Sequence, residues 1–160
     1  MGDAPPRVTV VVPTYNERPN LEELAGRVLA LGRAYALLVV DDGSPDGTGA
    51  LADGLADRHA AVQVLHRREK EGLGRAYLAG FELALAGGAE LVLAMTPQHA
   101  AILARLQAEP AGGIHTLPGY ATGAADQGIP DPYGLTIASY RNTLRLLYEY
   151  LERAVDRLGN

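Results

Sequence analysis

Along the chain, short continuous apolar runs alternate with stretches whose apolar residues recur every three to four positions. Arg7 to Val12 (R-V-T-V-V-V) is strongly β-branched and ends at Pro13. Ala36 to Val40 (A-L-L-V-V), Val62 to Leu65 and Leu91 to Met95 are similar runs. Runs this short and this uniformly apolar predict strands covered on both faces, as in parallel sheets. After the first run, Leu21, Leu24, Ala25, Val28 and Leu29 repeat at helical spacing, with Asn20 as N-cap, Glu23 in capping-box position and Gly32 as the stop. Ala50 to Arg58 predicts a second helix. Gly72-Leu73-Gly74 opens an alanine-rich one that reaches about Ala86 and closes at Gly87-Gly88. Pro97 suits the first turn of a helix running to about Gln107, and Ile114 to Leu117 reads as a fifth, short strand. Residues 118–135 read as a long irregular loop. Thr136 then caps a last helix, whose stripe Tyr140, Leu144, Leu147, Leu151, Val155 and Leu158 reads as core.

Five strands alternating with helices predict an α/β fold: three layers, α/β/α, around a doubly wound parallel sheet with right-handed crossovers, Rossmann-like. Such sheets bind ligands outside the carboxyl ends of their strands. Those ends carry Pro13–Arg18, Asp41–Thr48, His66–Gly74, Thr96–His99 and the loop 118–135.

Composition narrows the chemistry. At 160 residues the chain suits a single domain over 1–160. Fourteen Lys and Arg against nineteen Asp and Glu give a net charge of −5, which repels phosphate backbones and argues against nucleic acid as a partner. No apolar stretch approaches the roughly 20 residues of a membrane span, and Met1 to Pro6 lacks the features of a secretory leader, so the expectation is a cytoplasmic protein with no membrane partner. The chain has no cysteine, which excludes disulfides, thiolate metal sites and cysteine nucleophiles. His59, His66, His99 and His115 show no metal-ligand spacing and read as solvated or strand-end residues, so neither a metal nor a cofactor is expected.

Three motifs in order carry a family resemblance. Val10-Val11-Val12-Pro13-Thr14-Tyr15-Asn16-Glu17, then Val39-Val40-Asp41-Asp42-Gly43-Ser44-Pro45-Asp46-Gly47-Thr48, then Glu71-Gly72-Leu73-Gly74-Arg75-Ala76 with Gly80 resemble the polyprenyl-phosphate (dolichol-phosphate) mannosyltransferases, inverting nucleotide-sugar glycosyltransferases. The resemblance covers about residues 7–94. It implies that Pro13, Tyr15 and Glu17 line a nucleotide and that Asp42 holds the base edge, since a carboxylate accepts hydrogen bonds from base N–H donors. It also implies an Asp-x-Asp after the fourth strand, holding the divalent cation that neutralises the departing diphosphate. The sequence there is Met95-Thr96-Pro97-Gln98-His99, without either carboxylate.

Residues of about 91–158 resemble something else. Leu93 to His99, His115 to Ala121, and Ile129-Pro130-Asp131-Pro132-Tyr133-Gly134 are similar to the second half of low-molecular-weight protein tyrosine or arginine phosphatases. Asp131 matches the general acid of that family. Its nucleophile, the cysteine of a Cys-x5-Arg loop, has no counterpart in a chain without cysteine.

Both resembled families are parallel α/β folds that set the fourth strand beside the first, so the expected strand order is 3-2-1-4-5. With each motif set interrupted where its own chemistry needs it, the simplest account is an engineered chimera: a designed scaffold without natural catalytic activity, joined near Leu91 to Met95. The alternative is a residual site at Pro13, Tyr15, Glu17 and Asp42 that binds a nucleoside diphosphate or nucleotide sugar weakly.

Overall fold

Val8–Thr14 forms strand β1, Tyr35–Asp41 β2 and Val62–His66 β3. All three run parallel in the order β1-β2-β3, with Val12 beside Val39 and Leu37 beside Val62. The computed structural model describes residues 8–31, 35–68, 73–105, 110–124, 127–132 and 134–158. Gly32, Glu71, Gly72, Gln107 and Tyr133, each given a part in the sequence reading, lie outside the described residues. The chain divides into two compact units, one within Pro6–Ala89 and one within Glu90–Asn160.

In the first unit, helices α1 (Arg18–Ala30) and α2 (Thr48–Arg58) cover one face of the sheet, and α3 (Leu73–Ala86) covers the other. β2 is buried on both faces, as its unbroken apolar run requires: Leu37 and Val39 join Leu21, Ala25, Val28, Ala52 and Leu55 on one side, while Leu38 and Val40 meet Ala76 on the other. The α1 start differs from the expectation. The helix begins two residues before Asn20, because Pro19 is tolerated in a first turn, and Glu17 takes the N-cap position. Asn20 instead donates its Nδ2 to Glu17 Oε2 at 2.8 Å.

The second unit holds β4 (Val92–Ala94) and β5 (Ile114–Thr116), paired in parallel, with helices α4 (Pro97–Leu103), α5 (Leu117–Thr122) and α6 (Ile137–Leu158). The parallel α/β class is therefore as expected, but among the described residues the single sheet of order 3-2-1-4-5 does not form. The strands make two sheets, β1-β2-β3 and β4-β5. β4 is only three residues long, and its ladder goes to β5.

Two further expectations change here. Part of the supposed loop 118–135 is α5, which Thr116 caps by accepting the Gly119 N–H at 3.0 Å and Gly123 ends with φ of +75°. On α6 only part of the expected stripe meets the core. Leu147 packs there as expected, but with Leu146, Tyr150 and Ala154 against Leu117 and Ile129, whereas Tyr140, Leu144, Leu151 and Val155 are about half exposed. The apolar arc of α6 is wider than the core it meets, so periodicity alone could not choose the buried edge. No helix of the described residues is long and apolar enough to cross a membrane.

The approach of α3 to the sheet depends on Gly80. A Cβ there would lie 2.5 Å from Val11 Cγ1 and 2.8 Å from Val40 Cγ2. Gly80→Ala is expected to overpack this face and cost about 1–3 kcal/mol, read as a lower urea midpoint. An unchanged midpoint would show that α3 stands further from β1 and β2.

Candidate functional site

The parallel register places Thr14 beside Asp41, so the loops leaving β1 and β2 start as neighbours. The Asp42 N–H donates to the Thr14 carbonyl at 3.0 Å. Asn16 then adopts a left-handed backbone, φ 59°, a conformation Asn tolerates better than most residues. Three successive backbone N–H groups follow. Asn16 N donates to Ser44 Oγ at 3.1 Å, Glu17 N to Thr48 Oγ1 at 3.0 Å, and Arg18 N to Asp46 Oδ2 at 3.3 Å. The two loops are clasped through these bonds.

Thr48, fully buried at the start of α2, is the hub of the clasp. Its hydroxyl accepts from Glu17 and donates to Asp46 Oδ1 at 2.5 Å, while its own N–H reaches the same oxygen at 2.9 Å. The Thr48 hydroxyl, followed by the Thr48 and Arg18 backbone N–H groups, holds the Asp46 carboxyl below its ordinary pKa of 3.8.

Behind the clasp sit two buried carboxylates, Asp41 and Asp42. Arg67 pairs its Nη1 with Asp42 Oδ1, and both side chains are largely buried. Its backbone N–H also donates to the Asp41 carbonyl at 2.8 Å. The ring of His66 lies between Asp53, whose Oδ1 is 2.8 Å from Nε2, and Asp41, whose Oδ2 is 3.7 Å from Nδ1. Removing a buried carboxylate from water is costly unless a partner compensates it, and here each has a cationic or ionisable neighbour.

The four residues singled out for a nucleotide thus lie on the two clasped loops or the strand end beside them. Pro13 is in β1 opposite Val40, Tyr15 presents a ring 37% exposed, Glu17 is exposed at the start of α1, and Asp42 is buried against Arg67. Sequence reasoning missed Arg67 and Thr48 and set His66 aside, because their partners lie 13 to 31 residues away in the chain.

In the second unit Asp131 is exposed on the segment entering α6, whose path is fixed by the Thr143 hydroxyl donating to the Pro130 carbonyl at 3.1 Å. Thr96 and Gln98, where the resembled family has carboxylates, do not fit a divalent cation. The Thr96 hydroxyl accepts the His99 N–H at 3.2 Å as the cap of α4, and Gln98 is neutral. Among the described residues no group of three or more His, Asp and Glu side chains is arranged to hold a metal. This unit also has a cavity of about 450 Å³ lined by residues including Pro97, His115, Tyr120 and Arg157. The Arg157 guanidinium lies 4.5 Å from the centre of the Tyr120 ring.

Comparison with known proteins decides what the clasped loops belong to. Residues 9–87 match the family described as Glycosyl transferase family 2. Those residues, just under half of the chain, are thus similar to family 2 glycosyltransferases. The polyprenol monophosphomannose synthase of Mycolicibacterium smegmatis is 54% identical over 93 residues, which are 56% of this chain and 34% of that protein. The undecaprenyl-phosphate mannosyltransferase of Micrococcus luteus is 46% identical over 89 residues, 56% of this chain and 37% of that protein. The chain therefore spans about a third of the length of these relatives. A solution structure of a low-molecular-weight protein tyrosine phosphatase from Bacillus subtilis aligns with 95% of this chain and 97% of that one, at 22% identity and a TM-score of 0.48.

These matches overturn the reading of the chain as an engineered chimera without natural activity. A 93-residue stretch of the chain is 54% identical to a natural polyprenol monophosphomannose synthase, and residues 9–87 match a glycosyltransferase family. The same matches contradict the expectation of a non-enzyme, which rested on the absent Asp-x-Asp.

Thr48→Val keeps the shape of the hub and removes its hydroxyl. Unfolding by urea should show a loss of about 1–2 kcal/mol, with shifted Asn16, Glu17 and Arg18 amides. The clasp should also loosen in acid. The depressed pKa of Asp46 makes its contribution complete above pH 3.8, and it is lost as pH falls through the folded value. Amides of residues 16–18 that stay unperturbed in both experiments would contradict the clasp.

Proposed function

We propose that the chain is part of a family 2 glycosyltransferase that takes mannose from a nucleoside-diphosphate donor and transfers it to a polyprenyl phosphate. The observation that carries this reading is the clasp. It brings together the Pro13–Glu17 and Asp41–Thr48 motifs, both inside the residues 9–87 that match family 2 glycosyltransferases. In the proposed reaction an acceptor phosphate oxygen bonds to the anomeric carbon, and the bond from that carbon to the diphosphate oxygen breaks. The nucleoside diphosphate leaves with the electron pair. A polyprenyl acceptor would be met at a membrane surface.

This chain's own residues supply the nucleoside end of the site. Tyr15 offers a ring face, Glu17 and Asp42 offer acceptors, and Gly43, with φ of +75°, turns the backbone where it passes the ligand. Arg67 holds Asp42 in place and offsets its charge, which matters because Asp41, Asp42 and Asp46 would otherwise repel a diphosphate. Thr96 and Gln98 offer no diphosphate clamp, so the base supplies most of the affinity.

A dissociation constant for GDP on the order of 1 mM, about −4 kcal/mol, is expected, with UDP as the comparison. Amide shifts in a GDP titration should concentrate at Tyr15, Glu17 and Asp42–Ser44, and Asp42→Ala should abolish them. Shifts absent from both loops, or undiminished in Asp42→Ala, would overturn the donor-site reading.

A further inference from the structure

The second buried carboxylate, Asp41, has a neighbour that the donor-site reading does not use. His66 ends β3 directly beside Asp41 in the parallel register, and Asp53 reaches the same ring from α2. The close approach of α2 requires residue 49 to lack a side chain. A Cβ at Gly49 would lie 2.8 Å from Asp41 Oδ2 and 3.2 Å from His66 Cε1. The result is one imidazole between two carboxylates from two different elements.

We propose that His66 is a positioning residue for the nucleotide site, which as an imidazolium bridges Asp53 and Asp41 and thereby sets the loop that carries Asp42 and Ser44. This rests on the donor-site reading above. A neutral ring carries one N–H, so it can donate to one carboxylate and must turn a lone pair toward the other. The imidazolium carries N–H groups on both sides and suits both. Asp41 depends on this, because it is buried and its hydrogen bonds from the Ser44 N–H are long, 3.4 Å to each oxygen. From Ser44 the path continues to the Tyr15–Glu17 loop, since Ser44 Oγ accepts the Asn16 N–H at 3.1 Å. A change of charge at His66 therefore reaches both nucleotide loops through Asp41 and Ser44.

The charged groups facing the ring are Asp53 from α2 and Asp41 from β2, both negative, while the adjacent Arg67 directs its guanidinium to Asp42. The hydrogen bond that the ring donates to Asp53 is the largest effect and, with the fields of Asp53 and Asp41, raises the His66 pKa above its ordinary 6.5; burial, the second-largest effect, opposes it. The ring is half exposed and exchanges protons with solvent. Because the folded pKa is raised, the bridge is complete below pH 6.5 and is lost as pH rises through the folded value.

The test uses the full chain and two variants, His66→Gln and Asp53→Asn. In the free wild type the Ser44 and Asn16 amide shifts should titrate together with the His66 ring, at a midpoint above 6.5. Asp53→Asn should lower that midpoint, and His66→Gln should remove the transition. The GDP dissociation constant of the wild type should rise about threefold to tenfold from below to above the midpoint, relative to His66→Gln at the same pH. That ratio cancels the titration of the nucleotide itself. Ser44 and Asn16 amides that stay flat while His66 titrates would overturn the proposal, as would identical GDP profiles in wild type and His66→Gln. GDP that binds at no pH while the amides still titrate would overturn the donor-site reading and support the His66 linkage.

Discussion

Helix α1 begins without a cap of its own. The first N–H groups of any helix lack intrahelical acceptors, and the side chain of Glu17, in the N-cap position, makes no capping hydrogen bond. The acceptors come from the loop after β2 and the first residue of α2: Thr48 Oγ1 and Asp46 Oδ2 take the N–H groups of Glu17 and Arg18, and Ser44 Oγ takes that of Asn16 just before them. A local cap would have left the two loops independent. The borrowed one makes the start of α1 and the start of α2 a single hydrogen-bonded structure, and the Pro13–Glu17 and Asp41–Thr48 motifs lie on it. Position in the sheet brings the loops close, but this exchange of donors and acceptors fixes them.

The same loops concentrate negative charge, and each carboxylate is answered differently. Asp46 is half-buried and gathers N–H and O–H donors from Thr48 and Arg18, which suits an ion still in contact with water. Asp42 is buried and paired with Arg67, a cation that keeps its charge at any relevant pH. Asp41 is buried beside His66, whose charge depends on pH. The site thus joins one permanent compensation to one conditional compensation, which is why the third carboxylate and not the second links the loops to pH.

The parts legible in the sequence were those whose signals are local. The β-branched run Val8–Val12 and the apolar run Ala36–Val40 say in a few residues what they do, whereas the packing role of Gly80 shows only in the structure. The motif order Pro13–Glu17, Asp41–Thr48 and Glu71–Ala76 with Gly80 pointed to the resemblance that the match over residues 9–87 supports, and to the strand ends that carry the candidate site. What was not legible depends on partners far along the chain. Arg67 meets Asp42 across 25 residues, and β4 pairs with β5 and makes no five-stranded sheet among the described residues. The α5 turn was hidden by composition, since P-G-Y-A-T-G reads as loop until Thr116 is seen to cap it. Residues 96–98, whose missing carboxylates suggested a scaffold without activity, lie outside the residues 9–87 that match the glycosyltransferase family.

Whether the clasped loops at the carboxyl ends of β1 and β2 hold a nucleotide can be read from a crystal structure of the chain grown with GDP. Guanine density is expected against the Tyr15 ring, with a base N–H donating to Asp42 and the hydrogen bonds of Ser44, Asp46 and Thr48 to residues 16–18 intact. Guanine bound in the cavity beside Tyr120 and Arg157, with Tyr15 and Asp42 uncontacted, would contradict the donor-site reading.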